Sequence, residues 1–175
     1  QKILFISIFI LFSGTASAQF YNGERPAEIM ALGDDLFLSY DFMNKATLPQ
    51  IVEANLVARG HNVKLNDKSF KGFNLEIANS IIDRITKEES KSLPAVILLS
   101  VGLEDIRENK SLKYIYTELA KLVKKITDAK IKLVLVGFSV PEMKQIPARY
   151  KTQSYKKKLS QVYSKVAQKY GAAYY

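Results

Sequence analysis

The sequence predicts an α/β domain built on a parallel sheet. Three observations carry this. Short apolar runs closed by turn residues alternate with amphipathic helical patterns along the chain. One run, Ala95-Val-Ile-Leu-Leu-Ser-Val101, is apolar almost throughout, as a strand covered on both faces is. The length, 175 residues with 47% apolar and 25% charged side chains, suits one domain with a sizeable core and is far from the composition of a disordered chain.

The elements follow in order. Ala27-Glu-Ile-Met-Ala-Leu32 lies between Pro26 and Gly33 and reads as a buried strand. Thr47-Leu-Pro-Gln50 offers a helix N-cap with Gln in the capping-box position. Leu48, Ile51, Val52 and Leu56 share one face of that helix, and Gly60 stands where it would end. Asn62-Val-Lys-Leu65 is a second short strand. A loop through Gly72 leads to a helix with Leu75, Ala78, Ile82 and Ile85 inward. The Ala95–Val101 run is the third strand. A helix carrying Leu112, Ile115, Leu119, Leu122, Val123 and Ile126 follows, then a fourth strand at Lys132-Leu-Val-Leu-Val136. A long helix closes near Tyr170-Gly171, and Ala172-Ala-Tyr-Tyr175 reads as the opening of a fifth strand. Strands joined through helices pair in parallel by right-handed crossovers.

The N-terminus sets the expected compartment. Lys2, the apolar run Ile3 to Phe12 and Ser13-Gly-Thr-Ala-Ser-Ala18 read as the three regions of a secretory signal peptide. The expectation is a signal peptide over 1–18 and a single domain over 19–175, periplasmic or secreted. The chain has no cysteine, which excludes disulfides, thiolate metal sites and a cysteine nucleophile. Its formal net charge is +9, from 26 Lys+Arg against 17 Asp+Glu. That balance suits weak association with an anionic surface. Only five of the basic residues are Arg and no nucleic-acid motif is present, so nucleic acid is not an expected partner. The densest cluster, Tyr155-Lys-Lys-Lys158, falls in a helical pattern and reads as a solvated face.

Ligands of open parallel sheets bind outside the carboxyl ends of the strands. Three loops leave that edge: Gly33-Asp-Asp35, Lys71-Gly72 and Gly102-Leu-Glu-Asp105. Each alone is ordinary turn chemistry. Together they carry a likeness. "ALGDDL" (residues 31–36) resembles Ala-Leu-Gly-Asp-Ser-Leu, and "ARGHNV" (58–63) resembles Ala-Arg-Gly-Tyr-Asn-Val. "VGLEDI" (101–106) is similar to a block containing Leu-Gly-Ala-Asn-Asp, and "LVLVGFSVP" (133–141) to a strand ending in Val-Gly-Met-x-x-Pro. These are blocks of the SGNH (GDSL) hydrolases, in the order of the secreted arylesterase and thioesterase/lysophospholipase branch. The resemblance spans Met30 to Tyr175 and implies a three-layer α/β/α flavodoxin-like sandwich of the SGNH hydrolase type with strand order 2-1-3-4-5.

It also implies an ester or thioester hydrolase with a serine nucleophile. The oxyanion hole would come from the serine N–H, a glycine N–H and an asparagine side chain, and the base from an Asp-x-x-His. Residue by residue, Asp34 keeps the aspartate of the first block, but Asp35 occupies the serine position. Gly72 matches the oxyanion glycine. Glu104 occupies the asparagine position, and Asp105 matches the aspartate after it. The Asp-x-x-His would lie beyond Tyr175, so the domain reads as C-terminally incomplete.

Both exchanges point the same way. An ionised carboxylate offers only acceptors where the oxyanion needs a donor, and Asp35 lacks the hydroxyl that a base would activate. The expectation is a degenerate hydrolase with impaired or lost serine-type activity, needing no cofactor or metal, acting as a monomer on an ester or lipid-like small molecule. A non-catalytic protein that uses the crevice to bind a lipid, glycan or cation is the alternative. Asp35 as a carboxylate nucleophile, and Asp34, Asp35, Glu104 and Asp105 as a cation site, stay open. His61, the only histidine, precedes the second strand and is expected at the amino edge, away from the crevice. Ser39 and Ser100 read as structural. Residues 138–150, and Tyr40 with Phe42, read equally as pocket border or as packing.

Overall fold

A computed structural model describes residues 25–38, 40–41, 46–87, 93–138 and 146–175, with the side chains at 35, 36, 40 and 41 left out. The expected signal peptide lies outside the described residues, as do Ser39, Phe42, Val140 and Met143. Strand β1 (Ala27–Leu32) leads into a short helix α1 (Asp35–Leu38) and a small antiparallel hairpin of β2 (Tyr40–Asp41) and β3 (Ala46–Thr47). Helix α2 (Leu48–Ala58), β4 (Val63–Asp67), α3 (Leu75–Lys87), β5 (Val96–Leu99), α4 (Leu103–Arg107) and α5 (Leu112–Asp128) follow. The described chain closes with β6 (Lys132–Leu135), α6 (Ala148–Lys151), α7 (Gln153–Tyr170) and β7 (Ala173–Tyr174).

The five-stranded sheet is parallel, in the order β4-β1-β5-β6-β7. Counted along these five strands alone, that is 2-1-3-4-5, as expected. Alternate residues of each strand face opposite layers. Met30, Leu32, Ile97, Leu99, Leu133 and Leu135 pack with α3, α5 and α7, whereas Ile29, Ala31, Leu98 and Val134 pack with Phe37 and with Leu48, Val52 and Leu56. The fold is therefore the predicted three-layer α/β sandwich.

The differences from the sequence reading have local causes. The second strand of the sheet runs to Asp67, past the expected Leu65, because its ladder to β1 continues through Asn66 and Asp67. Those residues are polar because β4 is an edge strand, where the apolar pattern lapses. The β2–β3 hairpin and the short helices α1, α4 and α6 are too brief to show a hydrophobic period.

Helix ends obey capping chemistry. Gln50 Oε1 accepts the Thr47 N–H at 2.8 Å, the predicted return bond of the capping box. Ser111 Oγ accepts the Tyr114 N–H at 3.1 Å at the start of α5. Ser111→Ala should destabilise the fold by about 1 kcal/mol, read as a lower urea midpoint with unchanged slope; an unshifted midpoint would remove the cap's role.

Candidate active site

The three loops expected to converge are joined by two backbone bonds and one carboxylate. Ser100 N–H donates to Leu32 O at 2.9 Å, joining the ends of β1 and β5. Phe70 N–H donates to Gly33 O at 3.1 Å, tying the loop after β4 to the turn after β1. Leu75 N–H, at the first residue of α3, donates to Asp105 Oδ2 at 3.0 Å, tying that loop to α4. Gly33, Gly72 and Gly102 thus stand together at the carboxyl edge of the sheet, where the ligand crevice of an open parallel sheet is expected.

Two of these glycines are required by their backbone conformation. Gly102 caps α4 with φ +108, and a Cβ there would meet Tyr163 Oη at 2.1 Å. Gly72 has φ +84 with open space around it, so backbone conformation alone selects glycine there.

The acidic residues divide. Asp35 opens α1, at the turn directly after β1; its side chain is outside the described set. Asp34 is 1% exposed, and its carbonyl accepts the N–H groups of Phe37 and Leu38, closing the α1 turn. Glu104 is engaged by Arg107: Oε2 and Nη1 stand 3.0 Å apart, both side chains largely buried. Asp105 is 1% exposed, with Oδ2 on the Leu75 N–H and Oδ1 lacking a hydrogen bond. Burial raises its carboxyl to about 6, helped by the charge of Glu108 and opposed by the Leu75 N–H. Beneath them Tyr163 is fully buried, donating to Val101 O at 2.5 Å, and burial together with Asp105 and Asp34 holds its phenol protonated well above its usual range.

This arrangement fixes what the crevice can do. The Asp105 carboxylate holds the start of α3, whereas it is the Asp34 main chain that closes the α1 turn. Glu104 presents an acceptor already committed to a cation. Among the described residues no group of three or more acidic or histidine side chains is placed to hold a metal ion. His61 precedes β4, with its N–H on Leu56 O. It lies a strand's length, about 15 Å, from the crevice edge, as its position in the sequence implied.

Arg107 was not singled out by sequence reasoning. The only signal was its place three residues after Glu104, a spacing that helices bring together. Ile146 and Tyr150 are buried in the core, so this end of the 138–150 loop serves packing. A separate cavity of about 700 Å³, lined by His61, Ile29, Leu56 and Leu98 among others, lies toward the opposite, amino edge and is not part of the crevice.

No protein-family model matches the sequence, and no curated protein matches it closely. Solved structures do match. The SGNH-hydrolase family esterase AlinE4 superposes with TM-score 0.69 at 21% identity, over 87% of this chain and 76% of that one. TesA gives 0.67 at 19% identity, over 84% and 76%. The psychrotrophic esterase EstA from Pseudoalteromonas sp., solved inhibited by monoethylphosphonate, gives 0.66 at 21% identity, over 85% and 76%. With this strand order, and with three loops bonded together at the carboxyl edge, the chain has the fold of the SGNH-hydrolase esterases.

Proposed function

We propose that this chain is an exported SGNH-family protein, a monomer, that keeps the ester-hydrolase crevice for an ester or lipid-like small molecule and has little or no serine-type turnover. The carrying observation is the pair of replacements at the crevice: Asp35 at the turn after β1, and Glu104 held by Arg107 at 3.0 Å. Hydrolysis through a serine needs a hydroxyl beside a base and donors aimed at the developing oxyanion, each donor contributing about 3 to 4 kcal/mol. Glu104 supplies no donor, and its ion pair with Arg107 draws that guanidinium's charge onto itself rather than toward a substrate. His61 stands at the wrong edge to serve as base.

The test is chromophore release from p-nitrophenyl butyrate. The expected rate is no higher than that of the Asp35→Asn variant. Rapid release by the natural chain, lost in Asp35→Asn, would overturn the reading and make Asp35 a nucleophile.

The commitment of Glu104 to Arg107 also favours a second reading, a non-catalytic binding protein for a lipid or glycan, over one for a cation. It predicts saturable binding of a fluorescent fatty acid or lysolipid without turnover.

A further inference from the structure

We propose that the outer face of α7 is an electrostatic docking surface for an anionic lipid bilayer. From Ala148 to Tyr170, through α6 and α7, the chain carries seven Lys and Arg and no Asp or Glu. At 100° per residue Lys158, Lys165 and Lys169 fall within about 40° of one another, in a row about 16 Å long, and all three are exposed, as is Lys157.

The neighbouring helix shows what an ordinary solvated face looks like in this protein. On α5, Lys121 pairs with Glu118 at 2.6 Å, Lys124 pairs with Asp128, and Lys125 reaches Asp83 on α3 at 2.8 Å. Three of the four lysines of α5 are thus answered by a carboxylate, Lys113 being the exception. No carboxylate among the described residues pairs with Lys157, Lys158, Lys165 or Lys169, so these four present their charge uncompensated. Unanswered charges spaced within a Debye length of about 10 Å at 0.1 M salt act as one field.

The chemistry of the face selects the partner. Lysine is a point charge without the bidentate fork that reads a single phosphate, so the row suits a diffuse anionic surface. A nucleic acid or glycan chain would be expected to meet exposed aromatic rings for stacking; the α7 tyrosines 155, 163 and 170 are all half-buried or buried. Position adds to this. Tyr150 donates to Asn109 Oδ1 at 2.6 Å, which places the start of α7 beside the loop after α4, at the crevice edge. Adsorption through the Lys157–Lys158 end would bring the crevice mouth to the lipid surface. The proposal does not rest on the hydrolase reading, because adsorption needs no turnover.

The experiment is co-sedimentation of the full chain with vesicles of 30% phosphatidylglycerol in phosphatidylcholine, against pure phosphatidylcholine, in 50 and 500 mM NaCl. The readout is the anionic-to-zwitterionic binding ratio, which discounts any contribution of the apolar run Ile3 to Phe12 common to both vesicles. We expect a ratio above ten at low salt, collapsing at high salt. The variant Lys157→Gln/Lys158→Gln/Lys165→Gln/Lys169→Gln should lose at least tenfold. The charge-matched variant Lys113→Gln/Lys121→Gln/Lys124→Gln/Lys125→Gln should lose twofold or less, with both variants keeping the natural circular dichroism spectrum. Equal losses in the two variants would assign binding to net charge and overturn the proposal. So would a ratio near one, or capture by soluble dextran sulfate in place of vesicles.

Discussion

Gly102→Ala is expected to destabilise the protein by about 3 to 4 kcal/mol, the sum of two costs at one position. The backbone there has φ +108, a region where a side chain costs on the order of 1 to 3 kcal/mol. The new Cβ would also stand 2.1 Å from Tyr163 Oη, and overpacking of a filled core adds about 1 to 3 kcal/mol. Tyr163 cannot retreat cheaply, because it is fully buried and its hydroxyl is bonded to Val101 O. The two costs separate in a double-mutant cycle. Tyr163→Phe alone strands the Val101 carbonyl and should cost about 1 to 3 kcal/mol. In that background the nearest ring atom to the new Cβ is Cζ at 3.5 Å, an ordinary contact, so Gly102→Ala should then cost only its backbone share. Chemical denaturation of the four proteins reads this as a coupling of about 2 kcal/mol in favour of the double variant. Strict additivity would mean that the clash is absorbed elsewhere.

Asp105→Asn should change the pH dependence of stability more than any other single substitution at the site. Burial raises the Asp105 carboxyl from its ordinary 3.8 to about 6. A carboxyl with a raised native value holds its proton in the folded state where the unfolded chain has already released it. Its contribution is therefore most favourable below about pH 4, declines between 4 and 6, and is unfavourable by about 3 kcal/mol on the plateau above 6. Asparagine keeps an oxygen for the Leu75 N–H and has no charge to bury. The stability difference, Asp105→Asn minus natural, should then rise by up to about 3 kcal/mol from pH 4 to pH 7, measured by urea unfolding at each pH. A difference that stays level across that range would show that Asp105 titrates normally.

How far the sequence led depended on the range of each interaction. The sheet was legible because its signal is repeated: the same short, near-continuous apolar run recurs in β1, β5 and β6, and each long helix carries its own stripe. Gly72 and Gly102 were legible as loop residues at the carboxyl edge. The role of Tyr163 was not, since its spacing marks it only as a core residue of α7, and nothing local announces a hydroxyl that reaches a carbonyl 62 residues away. The burial of Asp105 was hidden for the same reason, because its partner at Leu75 lies 30 residues back. Glu104 was legible as a loss of chemistry, while its pairing with Arg107 rests on a choice of side-chain rotamer that one sequence cannot fix.

The position of β1 has a consequence for how the chain is made. It pairs on one side with β4, beginning at residue 63, and on the other with β5, beginning at residue 96. During synthesis its apolar residues Ile29 to Leu32 therefore emerge with both hydrogen-bonding edges open, and they wait for about 70 further residues before the second edge is covered. Open strand edges on unfinished chains are where aggregation starts. The growing chain should accordingly be most prone to aggregate, and most in need of a holding chaperone, before β5 has been translated.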